Sequence, residues 1–164
     1  MKQQTMQELQ QELVSKKVLI TGIDGFTGIH LEKLLIEKGY AVFGTVLLNT
    51  NNNRHLKCDL TKPNEINAVI EKVKPDYIFH LAGVSFVGEQ NKSLIYDVNV
   101  IGTENLLNAI LKAKLHPQKI IIASSATVYG NQKKSVLDEK MCPKPVNHYG
   151  YSKLIMEHLV ETYF

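Results

Sequence analysis

The chain has 164 residues, 44% of them hydrophobic and 21% charged, with a formal net charge of +3. That length suits one domain with its own core, and the composition is that of an ordinary soluble globular protein. The small, evenly spread positive charge argues against a nucleic-acid partner while remaining compatible with an anionic small ligand, and no run approaches the roughly 18 uncharged apolar residues that a membrane span needs.

The N-terminal stretch MKQQTMQELQQELVSKK is polar and Gln-rich and lacks an apolar signal core. It reads as a tail over 1–16, either a short helix or disordered, ahead of a domain over 17–164. From there, short apolar runs alternate with helical patterns. KVLITG (Lys17–Gly22) is a buried strand ending in glycine. Phe26–Lys38 follows as a helix with Ile29, Leu31, Leu34 and Leu35 at helical spacing, closed by Gly39. AVFGTVLL (Ala41–Leu48) is a second strand, NTNNN (Asn49–Asn53) a loop, and RHLKCDL (Arg54–Leu60) holds a short third strand. Pro63–Lys72 reads as a helix with proline at its start. DYIFHLAG (Asp76–Gly83) is a fourth strand. Tyr96–Lys114 is a long helix with Ile101, Leu106, Leu107, Ile110 and Leu111 on its buried side. KIIIASS (Lys119–Ser125) is a fifth strand, and Tyr149–Tyr163 a last helix with Leu154, Ile155, Leu159 and Val160 facing inward.

Nearly uniformly apolar strands separated by helices predict an α/β fold, a doubly wound parallel sheet of Rossmann-like form buried on both faces. Ligands of such sheets bind at the carboxyl ends of the strands. Cys58 and Cys142 form no C-x-x-C and fit the reduced thiols of a cytoplasm. The six histidines make no H-x-x-x-H or H-E-x-x-H pair, so no metal site is expected.

Three motifs fall at that carboxyl edge. TGIDGFTG follows the first strand and opens the first helix, with Gly22, Gly25 and Gly28 three apart. Glycine permits the positive φ of a tight turn, and a helix N-terminus offers N–H groups and a favourable dipole to a pyrophosphate. The spacing is G-x-x-G-x-x-G, and a glycine turn serving packing alone is the alternative. The acid that would bind the ribose diol of NAD at the end of the second strand is absent, for that strand ends Thr45-Val46-Leu47-Leu48-Asn49. NADP(H) is therefore favoured, with NAD(H) possible; Arg54 is a candidate 2′-phosphate partner or a solvated loop residue.

The second motif is NHYGYSK. A tyrosine has an ordinary pKa of about 10, and a nearby ammonium lowers it toward the range of a proton shuttle. Residues four apart share a helix face, so Tyr149 pairs with Lys153, whereas Tyr151 faces elsewhere. Tyr129 and Lys133 have the same spacing but no amphipathic helix around them. The third motif is Ser124-Ser125 at the end of the fifth strand, where a hydroxyl can hold a substrate oxygen. Together they suit proton exchange by Tyr149, a supporting Lys153 that also reaches the nicotinamide ribose, and a Ser125 that orients the oxygen.

These segments, with CDLTKP, DYIFHLAG, NVIGTENLL, IIIASSATVYG and YGYSKLIME, give a chain that resembles the extended short-chain dehydrogenase/reductase family, the NAD-dependent epimerase/dehydratase group acting on nucleotide sugars. The resemblance runs from Lys17 to Phe164. It implies that Gly22, Gly25, Phe26, Thr27 and Gly28 line the pyrophosphate, that Asp59 and Leu60 flank the adenine, and that Leu81, Ala82 and Gly83 pass beneath the cofactor. Asn99 falls at the family's helix asparagine, Ser125 at its catalytic Ser/Thr, and Tyr149 and Lys153 at its catalytic pair. Asn99 as a plain helix-face residue and Asp59 as a turn former are the alternatives. Dehydratases of the family carry acids after the catalytic hydroxyl; here Ala126 and Thr127 follow. SSATVYG looks like a sugar 4-epimerase, while HLAGVSFVGEQ and the short link between strands two and three look more like reductases of GDP-4-keto-6-deoxy-mannose. The resemblance thus favours a 4-keto nucleotide-sugar reductase, then an epimerase, then a cofactor-binding module without turnover. It also implies a homodimer through the helices 96–114 and 149–163. Family members are considerably longer and add a smaller C-terminal substrate domain, so this chain reads as a fragment or truncated product, or as one whose remainder comes from another chain.

Overall fold

The computed structural model describes residues 16–48, 50–85, 88–132 and 136–163. The expected N-terminal tail up to Ser15, together with Asn49, Lys133 and Phe164, lies outside the described residues. Five parallel strands form the sheet: β1 (Lys17–Thr21), β2 (Ala41–Val46), β3 (His55–Lys57), β4 (Tyr77–His80) and β5 (Lys119–Ile122), in the order β3-β2-β1-β4-β5. The chain winds outward from β1 in one direction and then the other, so the crevice between β1 and β4 is the switch point where a ligand fits. The helices are α1 (Phe26–Glu37), α2 (Pro63–Val73), α3 (Lys92–Tyr96), α4 (Gly102–Lys112) and α5 (His148–Glu161).

Side chains alternate across the sheet. Leu19 and Ile78 point to one face, where Ile66 and Ile70 of α2 and Leu106 and Ile110 of α4 bury them. Val18, Ile20 and Val42 point to the other, where Leu31 and Leu35 of α1 cover them. The doubly wound architecture is therefore present, but its two sides are unequally clothed. On the α1 side, Tyr77 and Phe79 are only half-buried and Ile121 of the edge strand β5 is 45% exposed. The expectation of strands buried on both faces fails at β5, whose residues alternate between exposed and half-buried: among the described residues it pairs with β4 alone, and its Ile121 face has no helix over it.

Three helical expectations change. The single helix over Tyr96–Lys114 is instead α3, a π turn at Asp97–Ile101, and α4. It also starts earlier, where the Asn91 side chain accepts the Leu94 N–H as an N-cap. A π turn adds one residue, so it rotates every following side chain out of a 3.6-residue register. Ile101, within the π turn, and Leu111, both expected inside, are exposed, while Leu106, Leu107 and Ile110 are buried as expected. In α1, Ile29 and Leu34 face outward. In α5, the buried positions are Gly150, Ser152, Lys153 and Met156, whereas Ile155 is exposed and Leu154, Leu159 and Val160 are half-buried. That helix turns its polar residues inward because it packs on the π turn and on the 3-10 turn Ala126–Tyr129.

Candidate active site

A cleft of about 560 Å³ opens where β1, β2 and β4 end. One wall is the turn after β1, with Gly22, Gly25, Phe26, Thr27 and Gly28, all five residues singled out in the sequence, and with Asp24 between them. Gly22 has φ +68°, and a Cβ there would lie 2.8 Å from Ala82 Cα. Backbone meets backbone at this point, which only glycine allows. Gly25, the N-cap of α1, offers no side-chain cap, so the first N–H groups of the helix open onto the cleft. The end of β2 contributes Thr45, Val46 and Leu47. Thr45 Oγ1 accepts the Gly22 N–H at 3.2 Å and fixes the turn to the sheet.

The far wall holds Asp59 and Leu60. Asp59 accepts from the Thr61 N–H at 3.0 Å and hydroxyl at 2.7 Å. The Thr61 hydroxyl is the main reason its carboxyl sits below the usual range. Cys58 beside it is inert as a nucleophile, because burial and then the neighbouring carboxylates push its thiol up to about 12. Arg54 stands apart: its guanidinium lies over the Phe43 ring at 5.9 Å, away from the residues that line the cleft.

Leu81, Ala82 and Gly83 form the floor. Beneath it lies Asn99, on the π turn and buried. Its Oδ1 accepts the Val84 N–H at 2.8 Å, and its Nδ2 donates to the Val84 carbonyl at 3.1 Å and to Ser152 Oγ at 2.9 Å. Ser152 in turn donates to the Tyr149 carbonyl at 2.7 Å. Lys153 Nζ reaches the same floor: a Cβ on Gly83 would sit 2.9 Å from Asn99 Oδ1 and 3.5 Å from Lys153 Nζ.

Tyr149 and Lys153 are one turn apart on α5, with Lys153 buried, Tyr149 half-buried and Tyr151 on the surface. Lys153 Nζ donates to the Ala123 carbonyl at 2.9 Å, and Ala123 lines the cleft. Burial drives the Lys153 pKa down, with the Glu157 carboxylate acting in the opposite sense. Ser125 caps the 3-10 turn and faces an adjoining depression of about 330 Å³ with Ser124, Tyr129 and Glu157. Thr127 donates to Ser125 Oγ from its hydroxyl at 3.0 Å, which leaves the Ser125 proton available to another acceptor. Ser124 Oγ is committed to Glu157. Of the two serines, Ser125 is thus the freer donor.

Thr45, Thr127, Ser152 and Glu157 escaped the sequence reading. Thr127 and Ser152 sit inside motifs that were read, but spacing alone does not show which neighbour a hydroxyl turns to. A glycine-lined helix terminus, two walls and a buried ammonium at the end of the floor fit a dinucleotide, whose nicotinamide supplies or accepts a hydride when bound.

Comparison with known proteins agrees with this geometry. The family model for GDP-mannose 4,6 dehydratase matches residues 19–164. A GDP-6-deoxy-D-talose 4-dehydrogenase of Aggregatibacter actinomycetemcomitans is 44% identical over 148 residues, covering 90% of this chain and 48% of that protein. A UDP-glucose 4-epimerase of Oryza sativa subsp. japonica is 32% identical over 163 residues, covering 86% of this chain and 43% of that one. Among solved structures, UDP-glucose 4-epimerase from Brucella ovis in complex with NAD superposes with a TM-score of 0.82 at 31% identity, over 91% of this chain and 48% of that chain. The chain spans about half the length of the relatives it matches.

Proposed function

The chain belongs to the family of the GDP-mannose 4,6 dehydratase model, and on that premise we propose that it carries the cofactor-binding and proton-transfer part of a nucleotide-sugar oxidoreductase. The observation that carries this reading is the meeting of the two motifs: Lys153, one turn below Tyr149, is bonded to Ala123, a wall residue of the glycine cleft. In the proposed reaction Tyr149 exchanges a proton with the sugar oxygen. Lys153 places a positive charge behind it, and Ser125, oriented by Thr127, donates its free proton to the same oxygen.

The substrate class we favour is a 4-keto-6-deoxy nucleotide sugar, reduced at C4. The 44% identical relative is by name a 4-dehydrogenase of a 6-deoxy GDP-sugar, and hydride transfer at C4 run in reverse is that reduction. Epimerisation at C4 is the second reading, supported by the 4-epimerase relatives and by SSATVYG. Dehydration is disfavoured despite the family's name, since Ala126 and Thr127 supply neither acid nor base. A cofactor-binding module without turnover is the third reading. We further propose NADP(H) over NAD(H): β2 is followed by Leu47 and Leu48, both exposed, and no carboxylate stands there to repel a 2′-phosphate. NAD in the Brucella ovis epimerase structure is the argument for the other cofactor. Pairing of two copies through the 96–114 and 149–163 segments belongs to the same proposal.

Tyr149→Phe tests the catalytic assignment. Turnover of a 4-keto-6-deoxy nucleotide sugar should vanish while the cofactor Kd stays within about twofold; unchanged turnover removes Tyr149 from the role. Fluorescence titration with NADPH and NADH tests the cofactor, and a clear NADH preference refutes the ribose argument.

A further inference from the structure

His80 is a polar residue in the apolar run YIFHLAG, and the proposed chemistry does not use it. It lies fully inside the protein with Thr21, Thr103 and Asn99. Four hydrogen bonds join them. The Ala82 N–H donates to Thr21 Oγ1 at 3.2 Å; Thr21 Oγ1 and His80 Nδ1 are 2.7 Å apart; His80 Nε2 and Thr103 Oγ1 are 2.9 Å apart; Thr103 Oγ1 donates to the Asn99 carbonyl at 2.7 Å.

The direction of every proton in this chain follows from its two ends. A carbonyl only accepts, so the single hydroxyl proton of Thr103 is spent on Asn99. Thr103 can then only accept from His80, which puts a proton on Nε2. A neutral imidazole with Nε2–H has a bare Nδ1, which takes the one hydroxyl proton of Thr21. Thr21 accepts in turn from Ala82. No buried side-chain nitrogen or oxygen among the described residues is left without a partner, as a one-way chain requires.

The ends of the chain are parts of the proposed cofactor site. Ala82 lies in the floor of the cleft, and Asn99 clamps Val84 just beyond that floor and, through Ser152, reaches the Tyr149 backbone. We propose that His80 is a positioning residue: as the Nε2–H tautomer it ties the floor of the cleft to the π turn, and so sets where Asn99 holds Val84. The link to ligand binding rests on the dinucleotide reading of the cleft; the link to Val84 does not. A charged imidazole would break the chain, because Nδ1 would itself become a donor to Thr21 Oγ1, and the Thr21 hydroxyl proton would lose its acceptor. Burial, and the nearby Lys153 charge, oppose that protonation too and bring the His80 pKa to about 3.

The test has one arm on the unsubstituted chain and one on isosteric variants. Proton-detected nitrogen NMR of the histidine rings should show His80 as one neutral tautomer protonated at Nε2, unchanged between about pH 5 and about pH 9. An Nδ1–H tautomer, or an imidazolium in that range, overturns the proposal, and this arm needs no variant to fold. Thr103→Val keeps the shape but removes the hydroxyl. It should speed amide exchange at Val84 about tenfold while leaving the core amide of Leu19 protected, and Thr103→Ser should restore Val84. Equal exchange at Val84 in all three proteins overturns the positioning role. The Kd for NADPH or NADH should weaken about tenfold in Thr103→Val and recover in Thr103→Ser. If the unsubstituted chain binds neither nucleotide, the dinucleotide reading fails, and the NMR and exchange arms still decide the role of His80.

Discussion

Lys153 and His80 show how burial acts on two basic groups a short distance apart. Lys153 keeps a charge inside the molecule with one carbonyl partner, and its burial costs stability whenever the ammonium is protonated. Lys153→Met should therefore abolish turnover yet stabilise the fold by about 1 kcal/mol near pH 7, a rise in Tm of about 2–4 °C by thermal denaturation. The pH dependence has a definite sign. The folded pKa lies below the unfolded value of about 10.4, so both states are charged at low pH and the penalty is complete there. The advantage of Lys153→Met should shrink as pH rises through the depressed folded value, and an advantage that grows with pH contradicts this account. His80 acts at the other end of the scale. Its folded pKa of about 3 lies below the ordinary 6.5, so the unfolded chain takes up a proton that the folded chain refuses. Between pH 6.5 and 3 the fold should lose about 1.4 kcal/mol per pH unit from this residue, seen as a slope in urea-unfolding free energy that His80→Phe removes. That Tyr149 and Lys153 stand one turn apart on a helix was legible because a helix repeat is local. The partners of His80 come from β1 and from the start of α4, and no local pattern reveals them.

At the scale of elements, the strand–turn–helix at Gly22–Gly28 could be read from residue order, because each glycine there has a steric reason. The structure separates those reasons. At Gly22 the backbone has positive φ and a Cβ would strike Ala82 Cα at 2.8 Å, while at Gly25 a Cβ would meet only the Gly22 carbonyl at 3.2 Å with ordinary extended backbone. Gly22→Ala should cost about 2 kcal/mol and weaken cofactor binding by at least about tenfold, since β4 must shift with the floor of the cleft. Gly25→Ala should cost less than about 1 kcal/mol in the same unfolding measurement. Equal losses would mean that the turn is not held by its contact with Ala82. The π turn at Asp97–Ile101 was not legible. Apolar spacing marks faces of a regular helix, and one inserted residue has no residue-type signature; Ile101, inside the turn, is exposed where a regular helix was expected to bury it. The polar inner face of α5 was missed for a related reason: its apolar residues outnumber Ser152 and Lys153, and the sequence pattern gives weight to number.

The whole molecule is a sheet unequally covered, and this governs its behaviour in solution. The α2 and α4 side is closed over β1 and β4, whereas the α1 side leaves a cavity of about 240 Å³ lined by Leu35, Tyr40, Tyr77, Phe79 and Ile121 at the β4–β5 end. A second groove of about 590 Å³ runs between α4, β5 and α5, with Leu111, Leu115, Ile120, Val160 and Tyr163 along it. The apolar runs at β4 and β5 led to an expectation of two-sided burial because a run records the demand for cover and not whether cover is present. Both hollows meet at β5, an edge strand of the parallel sheet among the described residues, and an exposed apolar edge favours association. The chain should accordingly self-associate with rising concentration in sedimentation velocity. Ile121→Lys places a charge at the centre of that edge, on a residue whose side chain lies away from the cleft. It should suppress the higher-order species while leaving the cofactor Kd within about twofold. A dimer formed through the 96–114 and 149–163 segments would survive the substitution, because Ile121 lies on neither. If Ile121→Lys associates as strongly as the original chain, the attraction lies elsewhere and the half-covered sheet is not its source.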